Sequence, residues 1–235
     1  MRGLVRVGAA VPSLALGNVK ENMKRHLAMM REAKEKHVSI VTFPELSLTG
    51  YTCGDLFFQR RLLDGVTDAL LALKDEMPEG ILAVVGAPLE IEGALYNCAV
   101  VLHKGEIISA VPKTFLPNNG EFYEKRWFQS GDARRDASVA IQKLKTDVCR
   151  QAIFETEDGV RFGIELCEDL WAPLPPSTML SVEGAEIILN LSASNELLSK
   201  REYRQQLISQ QSARCQCGYV YVSAGMGESS SDLVF

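Results

Sequence analysis

The apolar residues of this chain change period repeatedly along its length, and that alternation narrows the available folds more than any other feature. After Asn18, the run VKENMKRHLAMMREAKEKH places Val19, Met23, Leu27 and Met30 at spacings of three and four. That spacing is one face of a helix, and Asn18 is suited to cap it. Residues 60–76, RRLLDGVTDALLALKDE, predict a second amphipathic helix, and ELLSKREYRQQLISQQSARCQ a third. Strand-like runs lie between them: LVRVGAAVP, SIVTFPE, ILAVVGAPLEI, AEIILNLSAS and GYVYVSAGMG. LYNCAVVLHKGEIISAVPK predicts a hairpin turning at Lys104-Gly105, and AIFETEDGVRFGIELC another turning at Asp158-Gly159. Helices interleaved with strands imply an α/β layered domain. NGEFYEKRWFQSGD is polar and aromatic with two glycines, the composition of a long functional loop. The closing SSSDLVF is strand-like and uncapped, which suggests a cut inside a longer protein.

A chain of 235 residues can form one large domain or two small ones. At this length it buries roughly 70% of the surface its unfolded form exposes, so no disulfide or metal staple is needed. The net charge is −5, and no Lys/Arg cluster exceeds two or three neighbours. Such a surface argues against nucleic acid or anionic membrane as partners. No apolar run reaches the roughly 20 residues that span a bilayer. Residues 7–18 follow two arginines and imitate a signal peptide, but Pro12 interrupts the apolar stretch and LVRVGAAVP reads better as a strand. The six cysteines, at 53, 98, 149, 167, 215 and 217, lack the density of a secreted framework. Cys215 and Cys217 form C-x-C, neither a redox C-x-x-C nor a zinc half-site, and read as buried thiols in a reducing cytoplasm.

Chemistry concentrates in RFGIELCEDLW, where Cys167 sits among Glu165, Glu168 and Asp169. Nearby negative charge hinders thiolate formation, so a reactive Cys167 needs a cation and a base from elsewhere. Histidine is the usual base. His26 and His37 belong to the first helix or its end, and His103 precedes a hairpin turn, so none is well placed. A carboxylate is then the candidate base, and a lysine or arginine must balance the charge. Strand ends leading into loops are where layered α/β enzymes carry catalytic residues. Glu45 follows Pro44 in IVTFPELSLTGYT, Lys113 follows Pro112 in ISAVPKTFLP, and Cys167 closes FGIELC. Taken singly, each has a bland alternative: a solvated acid, a surface lysine, a buried thiol.

Taken together, FPELSLTGY, PKTFLP and ELCED resemble the Glu-Lys-Cys triad of the nitrilase superfamily, the carbon–nitrogen hydrolases. LPNNGEFYEKRWF, NLSASNELLSKREYR, QSARCQCGYVYVSAG and GESSSDLVF extend the likeness to the amino-terminal glutaminase domains of glutamine-dependent NAD synthetases. The resemblance covers essentially the whole chain and implies a single carbon–nitrogen hydrolase domain over residues 1–235, folded as a four-layer α-β-β-α sandwich and truncated at its C-terminal end. It implies Glu45 as general base, Lys113 as the cation, Cys167 as nucleophile, and Glu121 of GEFYE as the second glutamate that positions Lys113. It implies Tyr51 and Phe122 as walls of a glutamine pocket, Glu168 and Ser194 at the α-amino end of glutamine, and Lys200 at its carboxylate. Asn119 departs from the family pattern, where tyrosine is common, and is the pocket position in question. Asp169 and Trp171 read as structural.

The implied function is glutamine hydrolysis that feeds ammonia to a synthetase domain of the same full-length chain, which amidates nicotinic acid adenine dinucleotide. ATP and Mg are expected only in that missing domain, because no S-G-G-x-D-S loop occurs here; no cofactor or metal is expected in this one. A homo-oligomer is expected. The alternatives are a stand-alone nitrilase-type amidase acting on another ω-amide, or a non-catalytic regulatory module.

Overall fold

The computed structural model describes residues 4–133, 136–141, 144–230 and 232–235. The elements follow in the order β1 (Val7–Ala9), α1 (Val19–Glu35), β2 (Ile40–Thr42), α2 (Arg60–Glu76), β3 (Leu82–Ile91), β4 (Ala94–His103), β5 (Glu106–Pro112), β6 (Ala137–Ile141), β7 (Leu144–Val148), β8 (Ile153–Glu155), β9 (Arg161–Leu166), α3 (Pro176–Val182), β10 (Ile187–Ser192), α4 (Lys200–Cys215) and β11 (Gly218–Ser223). Among the described residues the strands form two sheets, ordered β1-β2-β3-β4-β5-β7-β6 and β11-β10-β9-β8. In the first sheet β1, β2 and β3 run parallel, while β3, β4 and β5 form an antiparallel meander. In the second, β9, β10 and β11 are parallel and β8 folds back on β9.

The two-residue period of the strands sorts their side chains into layers. Ile40, Val84, Ala99, Val101 and Val111 of the first sheet pack against Phe162, Ile164, Leu166, Leu189 and Leu191 of the second. The alternate residues Ala83, Val85, Cys98, Val100 and Leu102 face Leu27, Met30, Val66, Leu70 and Leu73 of α1 and α2. On the outer side of the second sheet, Ile188 packs with Leu180 of α3 and Cys217. The order helix, sheet, sheet, helix is the sandwich that the family resemblance implied. Each fully buried aliphatic or aromatic side chain contributes about 1.5–3 kcal/mol relative to an exposed one.

Helix α1 starts where expected, with the Asn18 side chain accepting the Glu21 amide at 3.2 Å. Two local features add to the expectations and one departs from them. Residues Tyr51–Phe58 form tight 3-10 turns broken at Gly54, whose φ is +56°. A short helix, α3, occupies Pro176–Val182. The described part of SSSDLVF is not a strand: Leu233 is buried and Val234 exposed, but the segment lies across loops, with the Glu196 amide donating to the Val234 carbonyl at 2.7 Å.

Candidate active site

Glu45 leaves β2 on a tight turn that crosses β3 at close range. Pro44 to Leu48 folds back under β3, with the Leu48 amide on the Gly86 carbonyl at 3.1 Å and Leu46 at φ +50°. A Cβ on Gly86 would lie 2.3 Å from both the Leu46 nitrogen and the Pro44 oxygen, so this crossing needs glycine. His26 of α1 braces the turn from behind. Its Nδ1 lies 2.7 Å from the Asn22 carbonyl and therefore carries the proton, so Nε2 accepts the Ser47 hydroxyl at 2.9 Å. The Gly86 amide in turn donates to Ser47 Oγ at 3.3 Å. Burial lowers the His26 pKa from 6.5 to about 4, so the ring is neutral.

The turn delivers a fully buried Glu45 carboxylate. Its Oε2 accepts the Ala193 amide at 2.9 Å, just past β10. Its Oε1 accepts Asn97 Nδ2 at 2.7 Å and Lys113 Nζ at 2.6 Å. Asn97 on β4 serves twice, since its carbonyl also takes the Lys113 amide at 2.8 Å. Lys113, at the end of β5, is completely buried and donates a second bond of 2.6 Å to Glu124 Oε1. Tyr51 donates its hydroxyl to that same oxygen at 2.7 Å.

Burial alone would lower the Lys113 pKa, but Glu124 and Glu45 outweigh it and hold the ammonium well above its ordinary range. Burial pushes the Glu124 carboxyl up to about 7, with Lys113 pulling it down and Glu45 pushing it up. A buried lysine shared by two carboxylates is costly to assemble, yet removing one partner of such a cluster costs about 3–5 kcal/mol.

Cys167 closes the constellation. It is the first residue after β9 and holds φ at +42°, the left-handed region that costs a non-glycine residue about 1–3 kcal/mol. Two anchors hold it there. Its amide donates to Asn190 Oδ1 at 3.3 Å. Asp169 takes the Leu166 amide at 2.9 Å and, through its other oxygen, the Thr114 and Phe115 amides at 3.1 and 2.7 Å. Asp169 thus ties the Cys167 elbow to the loop carrying Lys113, the structural part expected of it. Burial first, then the Glu45 charge, push the Cys167 thiol up, while Lys113 and the Ala193 amide pull it down. The balance favours a neutral thiol at Cys167, with the Glu45 charge acting on it.

The second glutamate differs from the expectation. Glu124, not Glu121, lies on Lys113. GEFYE holds both, and the chain enters a 3-10 turn at Glu124–Arg126 that buries Glu124 to 1% exposure. Glu121, three residues earlier, instead accepts the Asn195 amide, and Asn195 accepts Lys200.

Lys200, half-buried at the start of α4, lies 5.5 Å from the Phe122 ring centroid and 5.6 Å from that of Trp171. Tyr51 is buried, with Phe122 edge-on at 6.2 Å. Glu168 is partly buried, its carboxyl pushed up by burial and pulled down by the Lys113 charge. Ser194 is buried and accepts Arg204 at 3.2 Å. Asn119 is exposed and enters the loop through its backbone, its carbonyl accepting the Phe122 amide at 3.0 Å. A cavity of about 50 Å³ is bounded by Tyr51, Glu121 and Phe122 on one side and by Ser230, Asp232 and Leu233 on the other.

Sequence reasoning did not single out Asn97, Glu124, Asn190, Asn195 or Glu228. Glu228 accepts the Tyr51 amide at 2.9 and 3.0 Å and the Thr52 amide at 3.3 Å, fixing the tyrosine that reaches Glu124. A lone Asn inside an apolar strand, as in LYNCAVV or IILNLS, was the available signal for Asn97 and Asn190. Among the described residues no cluster of His, Cys, Asp and Glu could hold a metal ion, and no helix is long and apolar enough to cross a membrane.

The chain is 38% identical over 236 residues to a glutamine-dependent NAD(+) synthetase of Mycobacterium bovis, covering 99% of this chain and 35% of that protein. It is 34% identical over 202 residues to the Arabidopsis thaliana protein of the same name, covering 79% of this chain and 27% of that one. It thus spans about a third of the length of these relatives. The crystal structure of a glutamine-dependent NAD(+) synthetase from Cytophaga hutchinsonii superposes with a TM-score of 0.84 at 29% identity, over 95% of this chain and 36% of that one. A nitrilase-superfamily amidase from Nesterenkonia has the same fold, with a TM-score of 0.79 at 16% identity over 100% of this chain and 81% of that one. The carbon–nitrogen hydrolase family model matches residues 6–235, and the chain, with its buried Glu45, Lys113 and Cys167 at the strand ends of an α-β-β-α sandwich, belongs to that family.

Proposed function

We propose that this chain hydrolyses glutamine to glutamate and ammonia, and that the ammonia serves a synthetase domain of the same longer chain, which amidates nicotinic acid adenine dinucleotide with ATP and Mg. The likeness to glutamine-dependent NAD(+) synthetases, of which the chain spans 35%, supports the placement. In this reading the domain works in the cytoplasm as part of a homo-oligomer. The observation that carries the chemistry is Lys113, fully buried and hydrogen-bonded at 2.6 Å to both Glu45 and Glu124, its charge acting on the Cys167 thiol.

The chemistry follows from the neutral thiol. Cys167 Sγ attacks the γ-carboxamide carbon while Glu45 takes the thiol proton, so no free thiolate need accumulate. The amide oxygen becomes an oxyanion, held by the Lys113 ammonium and the backbone N–H of Glu168. Glu45 gives its proton to the leaving nitrogen, the C–N bond breaks, and ammonia departs from a γ-glutamyl thioester on Cys167. Glu45 then takes a proton from water, the hydroxide oxygen adds to the thioester carbon, and glutamate leaves as the proton returns to sulfur. One carboxylate is the base twice and the acid twice, and no metal or cofactor enters the scheme.

Glu168 and Ser194 hold the α-amino end of glutamine in this reading, and Lys200, steadied by Asn195, holds its carboxylate. Tyr51 and Phe122 wall the pocket. The test is glutamate release by the chain and by Cys167→Ala, with a glutamine-derived diazoketone as label. Loss of release in the variant and labelling of Cys167 are expected. Labelling at Cys53, Cys98, Cys149, Cys215 or Cys217 instead, with Cys167→Ala still active, refutes the assignment.

A further inference from the structure

One buried carboxylate beside the nucleophile has no part in that scheme. Glu165 stands two residues before Cys167 on β9 and is fully buried. Strand alternation turns it away from Phe162, Ile164 and Leu166, which fill the space between the sheets. Its Oε2 accepts the Ser177 amide of α3 at 2.8 Å. Its Oε1 accepts the Tyr219 hydroxyl of β11 and, at 3.4 Å, Nδ2 of Asn190, its direct partner across the strands. Asn190 Nδ2 also donates to the Tyr219 oxygen at 2.9 Å. The other end of that amide, Oδ1, accepts the Cys167 backbone N–H at 3.3 Å and the Ser192 hydroxyl at 2.7 Å.

We propose that Glu165, Tyr219 and Asn190 form a positioning relay that holds Cys167 in its left-handed backbone conformation. The proposal rests on the reading of Cys167 as the nucleophile. The two ends of an asparagine amide have nearly the same shape and opposite hydrogen-bonding character. Both Glu165 oxygens accept here, from Ser177, Tyr219 and Asn190, although burial pushes its carboxyl up, so Glu165 draws Nδ2 toward itself and turns Oδ1 toward Cys167. Were the amide reversed, its NH2 would face the Cys167 N–H and its oxygen would face a carboxylate. The relay therefore selects the one orientation in which the Cys167 amide is satisfied at φ +42°. That φ sets the direction of the thiol and of the Glu168 N–H that follows it. Glu165 is a positioning residue, and so are Asn190 and Tyr219; none touches substrate in this account. A fully buried carboxylate is an expensive way to fill space, and an apolar side chain would fill it at less cost if packing were its only task.

The test compares Glu165→Gln, Asn190→Leu and Tyr219→Phe with the unaltered chain by three readouts. These are kcat and KM for glutamine, the second-order rate of Cys167 alkylation by iodoacetamide followed by peptide mass spectrometry, and Tm. Misplacement of a reacting group by about 1 Å costs up to about 10²-fold. Glu165→Gln and Asn190→Leu are expected to lose about tenfold to a hundredfold in kcat with KM little changed. Cys167 alkylation should slow along with kcat, and Tyr219→Phe, which keeps the ring and removes one donor, should fall between. Unchanged kcat and unchanged alkylation in folded Glu165→Gln and Asn190→Leu would overturn the proposal, as would a loss confined to KM. If Glu165→Gln does not fold, Tyr219→Phe with unaltered alkylation and kcat overturns it equally. Slowed alkylation in a chain that hydrolyses no glutamine would uphold the relay and remove the glutaminase reading. Normal glutamine hydrolysis in every variant would do the reverse.

Discussion

Acid should weaken this protein through His26, a residue far in sequence from the proposed chemistry. The ring is fully buried, gives its Nδ1 proton to the Asn22 carbonyl and accepts Ser47 on Nε2, so the folded chain has no room for a second ring proton. Burial places its pKa at about 4 against 6.5 for the free side chain. As pH falls below 6.5 the unfolded chain binds a proton that the folded chain refuses until about 4. Stability attributable to His26 is therefore complete above 6.5 and is lost as pH falls through that window. The loss is about 2 kcal/mol at pH 5 and about 3 kcal/mol at pH 4. For a chain of this length each kcal/mol moves Tm by about 2–4 °C, so pH 5 should cost roughly 4–8 °C. The assay is Tm from pH 7.5 to 4.5 for the unaltered chain and for His26→Gln, which keeps a donor and an acceptor but cannot titrate. Carboxylates contribute equally to both curves, so their difference isolates His26. The curves should converge as pH falls. Parallel curves across the range would refute the neutral, acid-refusing histidine and the tautomer that links it to the Glu45 turn.

Lys113→Met should leave Glu45 and Glu124 buried without their cation, costing about 3–5 kcal/mol in urea unfolding and at least about 10²-fold in glutamate release; equal stability with equal activity would contradict the ion cluster. Glu228→Ala should strand the Tyr51 and Thr52 amides that Glu228 now accepts. Each buried donor left unpaired costs about 1–3 kcal/mol, so a lower urea midpoint and slower turnover are expected, and neither effect would mean that Tyr51 is held by other contacts. Asparagine, one methylene shorter, should be used about 10²-fold less well than glutamine in kcat/KM, because its amide falls out of line with Cys167 once its α end is held. Equal use of both amides would dismiss the pocket assigned to Glu168, Ser194 and Lys200.

Much of this could be read in the chain beforehand because it rests on local periodicity. The spacing of Val19, Leu27 and Met30 and the residues 60–76 gave α1 and α2, and the Asp158-Gly159 turn gave the β8–β9 hairpin. Strand ends pointed to Glu45, Lys113 and Cys167. What escaped notice depends on distant contacts. The choice of Glu124 over Glu121 turns on a three-residue 3-10 turn and on Tyr51, more than 70 positions away. Asn97 and Asn190 act only because neighbouring strands bring Glu45 and Cys167 to them. Helix α3 spans seven residues, too few for a helical period to register. The alternation in DLVF is real, with Leu233 buried and Val234 exposed, yet a two-residue pattern does not say whether a sheet edge is there to receive it.

The central claim is that Cys167 carries the γ-glutamyl group during turnover. The most direct measurement is intact and peptide mass spectrometry of the chain quenched in acid within its first turnovers on glutamine. The account predicts a mass increase of one γ-glutamyl group, confined to the Cys167 peptide, formed and lost at rates compatible with kcat, and absent from Cys167→Ala. Turnover of glutamine with no such adduct, sustained by the Cys167→Ala chain, would contradict it.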